Sequence, residues 1–165
     1  MRIEKRFDVG DITVWLSKEF DENGVLICQE GEYRNNKFGY AEKGYHKILK
    51  TPDINFDDEE MLCHVTSKDR LDDILQNGLV PDVGEIYADY WKRSSKSSEI
   101  ESELQPGIFL KRKRKVFSAS FKHPVRLYIS AVHLDKNCIY TDYAWPNGES
   151  IFYTKPIPPE AILLK

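Results

Sequence analysis

The sequence predicts an α+β fold in which an antiparallel sheet dominates and helices are few. Apolar residues alternate with polar ones in most segments, as at Ile12, Val14 and Leu16, which is the pattern of half-buried strands. Turn-forming residues, such as those of Asp21–Gly24, separate these segments. Only residues 62–81 combine helical spacing with clear helix boundaries.

The first part of the chain is expected to be a β-rich N-terminal extension, residues 1–58, packed on a core formed by residues 59–165. Val25 and Ile27 continue the alternation after the first turn. Asn35-Asn36 indicates a second hairpin.

The pattern of residues 62–81 predicts a short strand that carries His64 and Thr66 near its end. A turn and one helix are expected to follow this strand. The apolar residues of this helix recur at helical spacing: Leu71, Ile74, Leu75 and Leu79. Thr66 or Ser67 can cap its start, and Gly78 is placed to end it in a left-handed conformation.

Beyond this helix, residues 84–105 predict a helical turn that leads into a mobile loop. Strands dominate the rest of the chain, at residues 107–110, 116–121, 125–134, 138–140, 150–153 and 161–164. The prolines of Pro156–Pro159 predict an extended turn before the last strand.

Composition limits the possible partners. A net charge of −3 argues against attraction of the whole protein to nucleic acid, so such binding requires a local basic patch. The three cysteines, Cys28, Cys63 and Cys138, are odd in number and far apart, as expected for reduced thiols in a cytoplasmic protein. The N-terminus lacks a signal-peptide core, and no apolar run is long enough to span a bilayer.

Two polar positions are candidates for chemistry. His64 and Thr66 alternate along their strand, so they either bind a polar ligand on one face or satisfy backbone groups at the strand end. Glu149 follows the turn Trp145–Gly148 and precedes an apolar strand. Its carboxylate either bonds a ribose hydroxyl and stabilises a developing cation, or is a surface charge at the strand entry.

A basic run forms the third candidate: Lys111, Arg112, Lys113, Arg114 and Lys115. It either contacts phosphates of a nucleic acid or nucleotide, or forms a solvated hairpin tip. The sequence has no glycine-rich phosphate loop, and its four histidines lack metal-ligand spacing, so no metal is expected.

Three blocks of the chain, taken together and in order, resemble the ADP-ribosyltransferase superfamily in its diphtheria-toxin-like branch. This branch includes poly-ADP-ribose polymerases, DNA-modifying toxins and tRNA 2′-phosphotransferases. His64–Thr66 and Ile74–Leu79 are similar to the family's His-x-Thr strand and following helix. Gly107–Leu110 is similar to its Gly-Ile-Tyr block, and Glu149–Tyr153 with Pro156–Ile162 is similar to its final glutamate strand and proline turn.

The resemblance implies a split antiparallel β-sheet core of the ADP-ribosyltransferase type, with NAD bound as substrate between His64 and Glu149. His64 would bond the adenosine ribose, the Val65 backbone would hold the nicotinamide amide, and Thr66 would support that turn. Phe109 would stack on the nicotinamide ring. Glu149 would grip the nicotinamide ribose 2′-hydroxyl and stabilise the oxocarbenium-like transition state, which requires no metal.

Other features of the family pattern are matched less closely. Phe109 stands where the family usually has tyrosine, and Val65 where glycine is common. Ser118 belongs to a Phe117–Ser120 segment similar to the Ser-x-Ser strand of the cholera-toxin-like branch, which adds it to the implied NAD-binding residues. The basic run of residues 111–115 would steer a phosphate-bearing acceptor or NAD itself.

The function expected from this resemblance is transfer of ADP-ribose from NAD to a macromolecule, protein or nucleic acid. One alternative is an RNA 2′-phosphotransferase-like or NAD-hydrolysing enzyme on the same fold. Another is a catalytically degenerate module that binds a nucleotide or nucleic acid through residues 111–115. The identity of the acceptor stays open at this stage.

Overall fold

The computed structural model describes residues 1–35, 42–50, 60–83, 96–112, 123–143 and 150–164. This part of the chain forms two short helices, α1 (Leu71–Asn77) and α2 (Ser97–Glu103). It also forms ten strands: β1 (Arg2–Val9), β2 (Ile12–Phe20), β3 (Leu26–Asn35), β4 (Glu42–Lys50), β5 (Met61–Ser67), β6 (Ile108–Arg112), β7 (Pro124–Ser130), β8 (Ile139–Asp142), β9 (Ser150–Tyr153) and β10 (Ile162–Leu164). The predicted α+β class with a dominant antiparallel sheet is confirmed.

The ten strands form one sheet in the order β1-β2-β3-β4-β8-β9-β6-β5-β7-β10. All neighbouring strands are antiparallel. Strands β1 to β4 form a meander, and β4 pairs with β8 through Ile48, Leu49 and Lys50. The N-terminal strands therefore extend the core sheet at its edge. The predicted boundary at residue 58 lies outside the described residues and stays a prediction.

The first hairpins follow local turn chemistry. Gly10 (φ +59°) turns β1 into β2, and Gly24 (φ +78°) turns β2 into β3. The Asp21 carboxylate accepts from the Asn23 and Val25 backbone N–H groups at 2.8 and 2.9 Å. The predicted turn at residues 21–24 is confirmed, with β3 beginning just after Val25. Strands β3 and β4 also form a hairpin, whose tip, predicted at Asn35-Asn36, continues outside the described residues.

The strand and helix predicted at residues 62–81 are present, with two corrections. Ser67 precedes a 3-10 turn that leads into α1, but no side chain caps either helical segment. Ile74 is buried as expected, whereas Leu75 is 41% exposed, because the seven-residue helix buries only a narrow face. Gly78 (φ +83°) ends α1, and its N–H donates to the Ile74 carbonyl.

Helix α2 lies where the sequence predicts a loop. Its surroundings, from residue 93 to 98, are strongly polar, and only Ile100 and Leu104 provide an apolar stripe. Both residues are buried against Val14, Leu16 and Tyr33 of the N-terminal meander. Tertiary packing therefore stabilises a helix that its own sequence supports weakly.

Strand β7 is shorter than predicted, because the chain leaves the sheet after Ser130 in a 3-10 turn, Ala131–His133. The other C-terminal strands agree with prediction, apart from that expected at residues 116–121. That strand, like the turn expected at residues 84–91, falls outside the described residues.

Gly78 offers a test of the packing of α1. A Cβ at Gly78 would lie 2.2 Å from the Ile157 carbonyl oxygen, whereas one at Gly24 would meet nothing within 4 Å. Both glycines have positive φ, and Gly78 combines it with ψ −172°, a conformation essentially restricted to glycine, so strain in the backbone adds to the close approach in Gly78→Ala. We expect Gly78→Ala to reduce the free energy of unfolding by about 2 kcal/mol more than Gly24→Ala, as is typical of overpacking. Urea denaturation measures both; equal losses would refute the close approach.

Candidate functional site

The candidate site lies where β5 and β6 separate. These strands pair only at Leu62↔Arg112 and Cys63↔Lys111. Further along β6, Gly107 pairs instead with Asp82, through N–H to carbonyl hydrogen bonds of 2.8 and 3.2 Å. A gap in the ladder is thus left at Ile108–Leu110, and we call it the β5–β6 gap.

The imidazole of His64 fills part of the β5–β6 gap. Its Nδ1 lies 2.8 Å from the Phe109 carbonyl oxygen. Because a carbonyl only accepts hydrogen bonds, Nδ1 carries the hydrogen, and Nε2 of the neutral ring is an acceptor. Burial is the main cause that lowers the pKa of His64, so the ring is neutral at pH 7. Nε2 has no hydrogen-bond partner among the residues that the structure describes.

Two side chains of opposite charge act electrostatically on this imidazole. The Asp82 carboxylate raises the pKa of His64 and the Arg70 guanidinium lowers it, both less strongly than burial does. Asp82 is held by its backbone pairing with Gly107, and Arg70 ends the 3-10 turn after β5. Both side chains are exposed, and neither forms an ion pair with a described residue. The β5–β6 gap therefore holds a fixed acceptor whose pKa responds to one anion and one cation.

The other predicted residues of β5 differ in exposure. Val65 is half-buried and pairs with Arg126 of β7. Thr66 is only 2% exposed, and its hydroxyl makes no hydrogen bond to a described residue. Thr66 is therefore shielded from solvent, whereas His64 and Val65 are partly accessible.

Phe109 bonds His64 through its carbonyl, while its ring lies on the face of the sheet opposite Ile108 and Leu110. The ring is half-buried and contacts Phe152 edge-to-face, with centroids 5.1 Å apart. Together these rings line a small recess of about 10 Å³, which is the space of about one water molecule. The stacking role of Phe109 therefore stays a prediction.

A buried polar network closes the inner end of this recess. Tyr33 Oη lies 2.6 Å from His46 Nδ1, and Gln29 Nε2 lies 3.3 Å from His46 Nε2. Gln29 Oε1 accepts from the Gln105 backbone N–H at 2.9 Å. Since an amide nitrogen only donates, His46 Nε2 accepts and its Nδ1 carries the hydrogen. Burial lowers the pKa of His46 to about 4, so this network is uncharged at pH 7.

The remaining predicted residues are only partly described. Lys111 is half-buried in β6 and lies opposite both Cys63 and Ser150. Arg112 ends β6, whereas Lys113, Arg114, Lys115 and Ser118 lie outside the described residues. Glu149 also lies outside them and directly precedes Ser150 in the sequence.

The register of the strands β5, β6 and β9 nevertheless relates the positions of His64 and Glu149, the two ends of the predicted site. Cys63, Lys111 and Ser150 form one row across β5, β6 and β9. With about 4.8 Å between strands, the Cα atoms of Cys63 and Ser150 are about 10 Å apart. These two residues are the sequence neighbours of His64 and Glu149. Ser150 is held by a hydrogen bond from its hydroxyl to the buried Asp142 carboxylate, at 3.2 Å.

Within the described ranges, no three His, Cys, Asp or Glu residues are placed to hold a metal ion. Neither α1 nor α2, the two helices of these ranges, is long and apolar enough to cross a membrane.

Sequence reasoning did not identify Arg70, Asp82, Gln29 or His46 as members of the site. Each is an ordinary polar residue in its own segment, and only its long-range partners distinguish it. Comparison with known proteins adds no relatives: no protein-family model matches the chain, and no curated protein is significantly similar to it.

Proposed function

We propose that the protein is an NAD-dependent ADP-ribosyltransferase that transfers ADP-ribose to a macromolecule. The observation that supports this proposal best is the β5–β6 gap, in which His64 presents a single fixed acceptor. A sugar hydroxyl is a donor that suits it. Strand β9, which begins at the residue after Glu149, is the neighbour of β6 in the sheet. The two ends of a dinucleotide can therefore be held by one surface.

In this proposal each residue acts on a stated part of NAD. His64 accepts a hydrogen bond from the adenosine ribose, the Val65 backbone holds the nicotinamide amide, and Phe109 stacks on the nicotinamide ring. Glu149 accepts from the nicotinamide ribose 2′-hydroxyl and stabilises positive charge as the bond from C1′ to nicotinamide breaks. The acceptor nucleophile then bonds to C1′ and loses its proton. Residues 111–115 attract a phosphate-bearing acceptor.

The His64 contact is tested by His64→Asn. The asparagine amide can still donate to the Phe109 carbonyl, but the acceptor equivalent to Nε2 is lost. We expect NAD to bind about tenfold more weakly, the effect of one hydrogen bond to a buried group, with little change in the free energy of unfolding. Isothermal titration calorimetry measures the affinity. An unchanged affinity for NAD would exclude His64 from the site.

The reaction is tested with NAD labelled in its ADP-ribose part, incubated with protein, DNA and RNA fractions of a lysate. Label that becomes covalently attached to one fraction supports transfer and identifies the acceptor class. Free ADP-ribose would indicate NAD hydrolysis instead, and ADP-ribose cyclic phosphate formed with 2′-phosphorylated RNA would indicate a phosphotransferase. Salt-sensitive nucleic-acid binding without NAD turnover would indicate a binding module.

A further inference from the structure

Strand β1 lies at one edge of the sheet and is rich in charged residues. It has eight residues, and β2 is its only neighbour among the described strands. The strand at the opposite edge, β10, has three residues. An edge strand presents a row of backbone N–H and C=O groups that can pair with another chain. Of the two edges of the described sheet, β1 therefore offers the longer surface for such pairing.

The backbone groups that face this edge belong to alternate residues of β1. Met1 and Phe20 exchange both of their backbone hydrogen bonds, at 3.0 and 2.9 Å. In the antiparallel β1–β2 ladder the odd-numbered residues of β1 therefore bond β2. The N–H and C=O groups of the even-numbered residues point away from β2, and the side chains of these residues are exposed: Arg2, Glu4, Arg6 and Asp8.

The charges of these four side chains are complementary to themselves in one antiparallel register. With a two-fold axis at Lys5, Arg2 faces Asp8 of the second copy. In the same register Glu4 faces Arg6 of the second copy. Each of these pairs joins opposite charges, which stabilises residues directly opposite each other on adjacent strands. Each also joins two residues whose backbone groups face the edge, as a hydrogen-bonded antiparallel pair requires.

The neighbouring registers place like charges together. An axis at Glu4 makes Glu4 face its own copy and Arg2 face Arg6. An axis at Arg6 makes Arg6 face its own copy and Glu4 face Asp8. Like charges directly opposite each other are destabilising. The charge pattern of β1 therefore favours the register centred on Lys5 over the registers on either side of it.

The odd-numbered residues, on the other face of β1, are compatible with the same register. Ile3 is 40% exposed and would face Phe7 of the second copy, which is half-buried against the apolar cluster of the N-terminal meander. Lys5 would face Lys5 of the second copy at the axis. The ammonium of each Lys5 is ion-paired with Glu103 of its own α2, which offsets the repulsion between the two.

We propose that β1 is a self-complementary dimerisation strand, through which two copies of this chain pair antiparallel in the register centred on Lys5. The two sheets then continue into each other, and the same surface of both copies is used, so the assembly closes as a two-fold dimer. Pairing through one strand buries less area than a standard interface, so the dimer dissociates on dilution. This proposal does not depend on the proposed function.

The central experiment is sedimentation velocity over a series of protein concentrations. We expect the parent to change from monomer to dimer as the concentration rises. Glu4→Arg is expected to weaken dimerisation about tenfold, because two symmetry-related pairs change from attraction to repulsion. Arg6→Glu is expected to have the same effect, whereas the double variant Glu4→Arg/Arg6→Glu restores opposite charges and is expected to dimerise like the parent.

Glu32→Arg is the matched control for net charge. Glu32 is an exposed glutamate of β3, an interior strand, and it forms an ion pair with Arg34 two residues away. Glu4 forms the equivalent pair with Arg2. Glu32→Arg therefore changes the same charge and breaks the same kind of contact, and we expect it to dimerise like the parent.

Disulfide trapping tests the register independently. At the axis the two Lys5 residues form a non-hydrogen-bonded pair, whose Cα atoms are about 4.5 Å apart, within the range that a disulfide spans. Lys5→Cys is therefore expected to form a covalent dimer in oxidised glutathione. Ile3→Cys is expected to form none, because residue 3 of the second copy lies four positions further along, about 13 Å away. The parent chain reports any background from its three native cysteines.

Each result supports or overturns the proposal. A parent that stays monomeric at every concentration would overturn it, and the charges of β1 would then serve to keep the edge unpaired. A dimer that is weakened equally by Glu4→Arg and Glu32→Arg would place the interface elsewhere. Failure of the double variant to restore dimerisation, or equal trapping of Ile3→Cys and Lys5→Cys, would refute the register centred on Lys5.

Discussion

Replacing Glu149 with glutamine is expected to reduce ADP-ribosyl transfer about a thousandfold, the loss typical of removing one preorganised group from a charged transition state. Glutamine is nearly isosteric and can still bond the ribose hydroxyl, but it carries no charge to stabilise the developing oxocarbenium ion. We therefore expect kcat to fall while the affinity for NAD changes little. Release of nicotinamide and incorporation of labelled ADP-ribose are the two measurements.

The matched control for this experiment is Glu160→Gln. Glu160 is exposed in the 3-10 turn before β10, and it is not part of the candidate site. We expect the free energy of unfolding to be similar in both variants and the parent. Retention of full transfer activity by Glu149→Gln would remove Glu149 from the mechanism.

Acidification from pH 6.5 to about 4 is expected to reduce the free energy of unfolding by about 3 kcal/mol through His46 alone. Burial lowers the pKa of His46 from 6.5 to about 4. Between these values the unfolded chain binds a proton that the folded protein does not, so protonation favours unfolding. Above pH 6.5 both states are neutral and the effect is absent.

The physical reason is the network around His46. A proton on Nε2 would face the Gln29 amide nitrogen, which is itself a donor, on a ring that is only 2% exposed. Chemical denaturation at several pH values measures the effect. His46→Gln is expected to flatten the pH dependence by about 3 kcal/mol. Burial also lowers the pKa of His64. Some pH dependence of the free energy of unfolding is therefore expected to remain in His46→Gln.

His133→Gln is the control for this second prediction, because His133 is an exposed histidine in the 3-10 turn after β7. In this variant the free energy of unfolding is expected to depend on pH as it does in the parent. If the free energy of unfolding depended on pH equally in His46→Gln and in the parent, His46 would not be the group that causes the loss of stability.

Much of the fold could be predicted because its signals are local. The alternation at Ile12, Val14 and Leu16 lies within one strand, and Asp21 and Gly24 form their turn within five residues. Helix α2 could not be predicted in this way, since Ile100 and Leu104 gain their stability from the distant N-terminal meander. The exposure of Leu75 was likewise set by the short contact surface of α1.

The candidate site shows the same division. His64 and Phe109 were found from short sequence blocks, but their hydrogen bond depends on where β5 and β6 stop pairing. Asp82 became a candidate only through its pairing with Gly107. Glu149 and Ser118 lie outside the described residues, so their roles stay predictions.

By itself the sequence determined the class of the fold, most of its strands and the helix at residues 71–77, because alternation, turn residues and capping glycines act over a few positions. Only the tertiary structure decided that the N-terminal strands join the core sheet, and which nitrogen of His64 accepts a hydrogen bond. Both depend on partners distant in sequence, and the pairing of distant strands is selected by the packing of the whole sheet rather than by local preference.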